Sequence, residues 1–358
     1  MIRKSIQIKL ARVKIGGGAL VSIQSMTNTD TKDIKKTISQ IKSLEKVGCE
    51  IIRVAVKDAE SAKAISKIKK AISIPIVADI HFDYRLALLS AENKADGIRL
   101  NPGNIYKPHQ VKEVIDICKK KKVPIRIGVN SGSLPKRYTL NSKRYNQADS
   151  MVKSVLSYLK LFKKERFNDI MISLKASDVF TTIDAYRKMA KYCNYPFHLG
   201  VTATGSGVDA IVKSSIGIGT LLAEGIGDTI RVSLTADPRE EVQVAREILQ
   251  ALNIRRFHHE VISCPTCGRC QVDLEKVVKE FKSKLSAIRY PLNANHSLTI
   301  AIMGCEVNGP GEAKDADIGI AFGKESGILF KKAKVIKKIK SKDVVRELLK
   351  ELTGTAPK

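Results

Sequence analysis

The sequence predicts a two-domain α/β protein: an N-terminal (β/α)8 TIM-type barrel followed by a smaller α/β domain. Three observations carry this. Short apolar strands alternate with amphipathic helices eight times in the first 250 residues or so, polar residues gather toward the carboxyl end of nearly every strand, and the pattern changes after residue 253, where four of the seven cysteines lie.

The units follow one another in order. "LVSIQSM" (20–26) precedes a helical pattern over 31–48, and "IIRVAV" (51–56) precedes one over 59–71. "PIVADI" (75–80) leads to 84–94, "DGIRLN" (96–101) to 109–121, and "PIRIGVN" (124–130) to 145–166. "DIMISLK" (169–175) leads to 180–193, "HLGVT" (198–202) to 209–224, and "TIRVSL" (229–234) to 238–252. Several helices open after Asp, Asn or Pro, the residues that favour a helix start. An open doubly wound sheet is the alternative; it would bind its ligand through one glycine-rich crossover rather than at many strand ends.

A short linker around 253–259 separates domains expected at 1–253 and 260–358. The second reads "EVISC", a helix over 271–286, "SLTIAIMGC", the turn "NGPGE", "DIGIAFG", "GILFKKAKVI" and a last helix over 341–352. His258 and His259 fall in the linker, where histidines are ordinarily solvated rather than zinc-bound.

Lys and Arg total 63 against 36 Asp and Glu, a formal charge of +27, so the surface attracts anions. Phosphorylated substrates and acidic protein partners fit that field. Nucleic acid is disfavoured, because aromatic residues are 5% with no Trp and no stacking stripe. No apolar run approaches the roughly 18 residues of a membrane span, and "MIRKSIQIKLARVKIGGGAL" lacks the apolar stretch of a secretory signal, so a cytoplasmic protein with no membrane contact is expected. Cys49, Cys118 and Cys193 fall late in helical segments and read as small buried hydrophobes.

Arg53, Asp79 with His81, Arg99 with Asn101, Arg126 with Asn130, Lys175, and Arg231 with Ser233 are expected on or just beyond strand ends. Strand alternation places Arg99 and Asn101 on one face, and likewise Arg126 and Asn130. Some of these cations would pair with Asp79 or Asp96. The acids are too few for all of them, which makes a phosphate or diphosphate the natural counter-charge. The glycine turns "TATGSG" (202–207) and "NPGN" (101–104) could add N–H donors.

"SCPTCGRC" (263–270) spaces Cys264, Cys267 and Cys270 evenly, and Cys305 lies far along the chain. Four thiolates would hold an iron–sulfur cluster or zinc. The gaps of two and two do not match radical-SAM spacing. Read this way, the alternatives to an iron–sulfur enzyme are a zinc-stapled barrel acting on a phosphorylated sugar and a charge-driven nucleic-acid binder.

"SCPTCGRC" together with "IMGCEVNGPGEA" (302–313) closely resembles the paired motifs of the 4-hydroxy-3-methylbut-2-enyl diphosphate synthase family. "VSIQSMTNTDT", "IIRVAV", "VADIHFDYRLAL", "GIRLNPGNI", "RIGVNSGSL", "HLGVT" and "GIGDTIRVSLTADP" continue the resemblance, in order, over nearly the whole chain. It implies a barrel and a cluster domain, a homodimer whose active site is shared between chains, and reductive ring opening of 2-C-methyl-D-erythritol 2,4-cyclodiphosphate with ferredoxin or flavodoxin as electron donor. It also implies one 4Fe-4S cluster per chain, held by Cys264, Cys267, Cys305 and Glu312, with Cys270 outside the ligand set. Arg53, Asp79, His81, Arg99, Arg126, Asn130 and Lys175 then bind the substrate, and Glu312, His81 and Lys175 take part in catalysis. One departure stands out: the family reads "HLGxTEAG" where this chain reads "HLGVTATG", so Ala203 replaces an acidic side chain expected near the substrate.

Overall fold

The computed structural model describes residues 3–134, 146–287, 297–305, 311, 313–332 and 334–354. It divides into two compact units, Met1–Arg255 and Arg256–Lys358.

The first unit opens with an antiparallel hairpin, β1 (Ile8–Leu10) and β2 (Val13–Ile15). Eight strand–helix units follow. They are β3 (Ser22–Met26) and α1 (Ile34–Lys46), β4 (Ile51–Val56) and α2 (Ala59–Lys69), β5 (Ile76–Ile80) and α3 (Tyr84–Glu92), and β6 (Gly97–Leu100) and α4 (Pro108–Lys121). Next come β7 (Ile125–Asn130) and α5 (Gln147–Lys164), β8 (Ile170–Lys175) and α6 (Val179–Ala190), β9 (His198–Leu199) and α7 (Gly207–Ala223), and β10 (Thr229–Ile230) and α8 (Pro238–Ala251).

The strands are parallel in the order β8-β7-β6-β5-β4-β3-β10-β9, and a parallel bridge from Ile172 to Phe197 brings the two ends together as a barrel. The predicted fold class is the observed one. Asp33, Asp58, Asp83, Asn146, Asp178 and Asp237 each accept a backbone N–H in the first turn of the following helix, which is why those helices begin where they do. Strands β5 and β8 are buried at every residue, as barrel strands covered on both sides must be.

Two expectations change. The strands read at 198–202 and 229–234 shorten to two residues each, His198–Leu199 and Thr229–Ile230, with the Arg231 N–H still bonding the Leu199 carbonyl just beyond. The β1–β2 hairpin was missed. Its Ile8, Leu10 and Ile15 pack with Ile51, Val77 and Met171 near the amino ends of β4, β5 and β8, and so cover that end of the barrel.

In the second unit, β11 (Glu260–Ser263), β12 (Thr299–Met303), β13 (Ile318–Phe322), β14 (Ser326–Lys331) and β15 (Lys334–Lys340) form one sheet in that order. The first three are parallel and the rest antiparallel. Helices α9 (Leu274–Ala287) and α10 (Val344–Gly354) place Leu274, Phe281, Val344 and Leu348 in one core with Ile300, Ile302, Ile320 and Phe322.

Candidate functional site

The barrel interior is cationic. Asp79 on β5, 3% exposed, is its hub: Arg99 Nη1 lies 3.1 Å from Oδ1, while Arg53 Nε and His81 Nε2 lie 3.6 and 3.8 Å from Oδ2. Burial by itself raises the Asp79 carboxyl, but the combined field of Arg53, Arg99, His81 and Arg126 outweighs it and holds the group at about 2. Desolvation brings Arg53 down to about 10, partly opposed by Asp79.

Arg126 on β7 is 4% exposed. Its Nη1 donates to Gln24 Oε1 on β3 at 2.7 Å. Strands β7 and β3 are not neighbours, so this bond crosses the barrel and fixes both side chains inside. Arg126 Nε and Nη2 and Gln24 Nε2 are buried without hydrogen-bond partners. Three orphaned donors in one interior are a heavy cost unless an acceptor is meant to sit there.

Lys175, 6% exposed at the end of β8, lies 3.3 Å from His198 Nε2 on β9. Arg231, just past β10, pairs with Glu241 on α8 at 3.1 Å, and Glu241 also accepts from Ser25 Oγ and the Leu234 N–H. Arg53, Arg99, Arg126, Arg231 and Lys175 thus face the carboxylates of Asp79 and Glu241. Two glycines give the long side chains room. A Cβ on Gly128 would stand 2.5 Å from Arg99 Nε, and one on Gly200 would stand 2.5 Å from Lys175 Nζ.

Arg53, Asp79, His81, Arg99 and Arg126 therefore come together as one set. Asn130 is in register with Lys175. Arg53 and Arg126 are the third residue of β4 and the second of β7, deeper than the strand ends to which sequence reading assigned them. The expected pairing with Asp96 is not formed; Asp96 bonds Lys69 and the Ile76 N–H. Asn101, 3% exposed, ties two loops together, accepting from the Gly103 N–H in its own turn and donating to Ser133 Oγ just after β7. Ala203 lies in the loop after β9 with a left-handed φ of 52°.

Gln24, His198 and Glu241 were not predicted. Gln24 and His198 could have been flagged as polar residues inside apolar strands. Glu241 gives no signal, since it sits among helix-surface charges in "PREEV".

In the second unit, Cys264 follows β11 and Cys305 follows β12, so both lie at the carboxyl end of adjacent parallel strands. Cys264 Sγ accepts the Gly304 N–H at 3.2 Å, and the Gln271 N–H bonds the Gly304 carbonyl, folding residues 264–271 over the end of β12. Cys267 is exposed and opens a tight turn to Cys270, whose thiol donates to the Val272 carbonyl at 3.2 Å. All seven cysteines are thiols rather than disulfides. Among the described residues no three His, Cys, Asp or Glu side chains converge as a metal site. Glu312, and the rival carboxylate Glu306, lie outside the described residues. Soft sulfur donors at one end of one sheet, one of them already receiving a backbone N–H, suit a thiolate-held group.

This is a (β/α)8-barrel enzyme with cationic side chains gathered inside the barrel and a cysteine-bearing unit after it. The GcpE TIM-barrel domain matches residues 5–246 and the GcpE protein C-terminal domain matches 260–354. The chain belongs to the GcpE family. Its relatives include the 4-hydroxy-3-methylbut-2-en-1-yl diphosphate synthase (flavodoxin) of Caldicellulosiruptor saccharolyticus, 53% identical with 97% of both chains covered. That of Clostridium acetobutylicum is 51% identical with the same coverage. Among solved structures, dihydropteroate synthase from Stenotrophomonas maltophilia has a TM-score of 0.51 at 13% identity, covering 70% of this chain and 98% of that one. The enzyme from Vibrio fischeri ES114 has 0.51 at 12%, covering 70% and 99%. These likenesses show the barrel fold alone.

No helix among the described residues is long and apolar enough to cross a membrane.

Proposed function

We propose that the protein reduces 2-C-methyl-D-erythritol 2,4-cyclodiphosphate to 4-hydroxy-3-methylbut-2-enyl diphosphate, a step of isoprenoid precursor synthesis. The observation that carries this reading is the set of buried, unpartnered donors on Arg126 and Gln24 inside a barrel where cations exceed acids. The relatives' printed name supplies the diphosphate product and the flavodoxin donor.

Ring opening turns a phosphodiester oxygen into a terminal phosphate oxygen, so negative charge grows on the diphosphate as the carbon–oxygen bond breaks. Fixed cations gain most from a group whose charge grows during reaction. Arg126 Nε and Nη2 can donate to it together, and Arg53 and Arg99, already held by Asp79, add their field without needing to move. His81, 3.8 Å from Asp79, is the least buried member of the set. Overall the reaction consumes two electrons and one proton and releases one water; the departing hydroxyl takes the proton, and the freed phosphate oxygen keeps the added negative charge.

Cys264, Cys267, Cys305 and Glu312 would hold a 4Fe-4S cluster, one per chain, which when bound supplies the electrons singly and a Lewis-acidic iron. A carboxylate is a harder and more exchangeable ligand than thiolate, which favours Glu312 over Cys270 as the fourth donor. We place the enzyme in the cytoplasm, where thiolate ligands stay reduced, as a homodimer in which the cluster domain of one chain serves the barrel of the other.

Anaerobic turnover of the cyclic diphosphate with reduced flavodoxin tests the reading. Formation of the linear diphosphate in step with flavodoxin oxidation is expected. Protein that holds iron and sulfide yet leaves the cyclic diphosphate unchanged would refute it.

A further inference from the structure

Lys175, like Arg126, is not held by a carboxylate, but its partner is another titratable base rather than the amide of Gln24. The carboxylates of Asp79 and Glu241 are taken up by Arg53 and Arg99 and by Arg231. Lys175 is left with a neutral partner, His198 Nε2 at 3.3 Å, whose Nδ1 in turn lies 3.1 Å from Thr229 Oγ1. The three residues stand on consecutive strands, β8, β9 and β10, and His198 and Thr229 are 0% exposed.

This heavy-atom frame serves two protonation states. With charged Lys175, the ammonium donates to Nε2 and Nδ1–H donates to Thr229. With neutral Lys175, Nε2–H donates to the amine and the Thr229 hydroxyl donates to Nδ1. Both states are hydrogen bonded, so the frame permits a change of charge that an arginine in the same place would not.

The surroundings favour the neutral form while the barrel holds no anion. Burial lowers Lys175 well below its usual value, and Arg53, Arg231, Arg126 and Arg99 lower it further. Burial lowers His198 as well, and Arg126, Lys175, Arg53 and Arg231 lower it further. The other groups here are Tyr186 on α6, whose hydroxyl donates to the His198 carbonyl at 2.5 Å, and the carboxylates of Asp79 and Glu241, both engaged by arginines.

We propose that Lys175 takes up one proton when a diphosphate enters the barrel, with His198 as its positioning residue, so that substrate binding itself charges the site with a proton. The proposal rests on the diphosphate-substrate reading. The incoming anion offsets the arginine field, Nζ gains the proton from solvent, and the proton that the reduction consumes in releasing water is then stored at Nζ inside the barrel. This answers the absence of an acidic side chain at Ala203 with a group already in the barrel.

The test is calorimetric and needs no turnover. The anaerobically purified full-length protein, without reductant, is titrated near pH 8 with the cyclic diphosphate and separately with inorganic diphosphate, in buffers of different ionisation enthalpy. The proposal expects uptake of about one proton per site beyond that of Lys175→Met, vanishing at pH values below the lysine's anion-free pKa. His198→Gln, which keeps an acceptor near Nε2, should retain the uptake, whereas His198→Leu should shift its pH dependence downward. Binding with equal proton uptake in the native protein and Lys175→Met overturns the proposal, and so does uptake that survives in Lys175→Met but disappears in His198→Gln. Lysine-dependent uptake with inorganic diphosphate alone, and no binding of the cyclic compound, would uphold proton loading and overturn the substrate instead.

Discussion

Arg126 Nη1 meets Gln24 Oε1 at 2.7 Å across the barrel, and the pair leaves Arg126 Nε and Nη2 and Gln24 Nε2 buried without partners. A folded protein rarely keeps such donors for stability, so the pair separates stability from function. Arg126→Met should leave the melting temperature unchanged or raise it, since replacing a buried charge that lacks an ionic partner by an apolar side chain is often neutral or stabilising. It should also cost on the order of 2 to 4 kcal/mol in kcat/KM for the cyclic diphosphate. Unaltered kinetics would take Arg126 out of the site.

Asp79 should govern the acid limb of stability. Its folded value of about 2 lies below that of an unfolded aspartate, so the unfolded chain binds the proton first. The contribution, on the order of 2 kcal/mol, is fully present above about pH 4 and is lost as pH falls toward 2. Asp79→Asn should flatten that part of the denaturation profile. At neutral pH it should destabilise by about 3 to 5 kcal/mol, because Arg53 and Arg99 lose their counter-charge. Urea unfolding from pH 2 to 7 reads both effects.

The thiols make separable demands. Cys270 donates to the Val272 carbonyl while Cys264 accepts the Gly304 N–H. Cys270→Ser should therefore keep iron, sulfide and activity, and Cys264→Ser, Cys267→Ser or Cys305→Ser should each lose the cluster. Glu312→Ala should yield a labile or three-iron cluster with little activity, and Glu306→Ala should matter less. Iron and sulfide analysis with electron paramagnetic resonance decides, and loss of iron from Cys270→Ser would restore the four-cysteine alternative.

A site shared between chains predicts complementation. Mixing Arg126→Ala with Cys305→Ser chains should recover activity through one intact barrel and one intact cluster domain. If heterodimers form, keep cluster on the intact chain and stay inactive, the site belongs to a single chain.

The formal charge of +27 should steer an acidic flavodoxin. Reduction should slow as salt shortens the screening length from roughly 30 Å at 0.01 M to 8 Å at 0.15 M. Equal rates at both ionic strengths would argue against steering.

The helices were legible within two or three residues because each needs only its own periodicity and, for six of those in the barrel, an Asp or Asn cap. The inward cations Arg53, Arg99, Arg126 and Lys175 were legible because a charge inside an apolar strand stands out locally. Folding decided the partners. That Arg126 meets Gln24, that Lys175 meets His198, and that Arg231 is held by Glu241 from a helix depends on strands and helices brought together around a closed barrel, and no local pattern encodes those distances. The β1–β2 hairpin was overlooked for the same reason: three-residue strands carry little periodic signal, and their apolar side chains acquire meaning only against Ile51, Val77 and Met171 at the barrel's end. Sequence determined which chemistry the chain carries, and closure of the barrel determined which of its charges are answered by protein and which are left for a ligand.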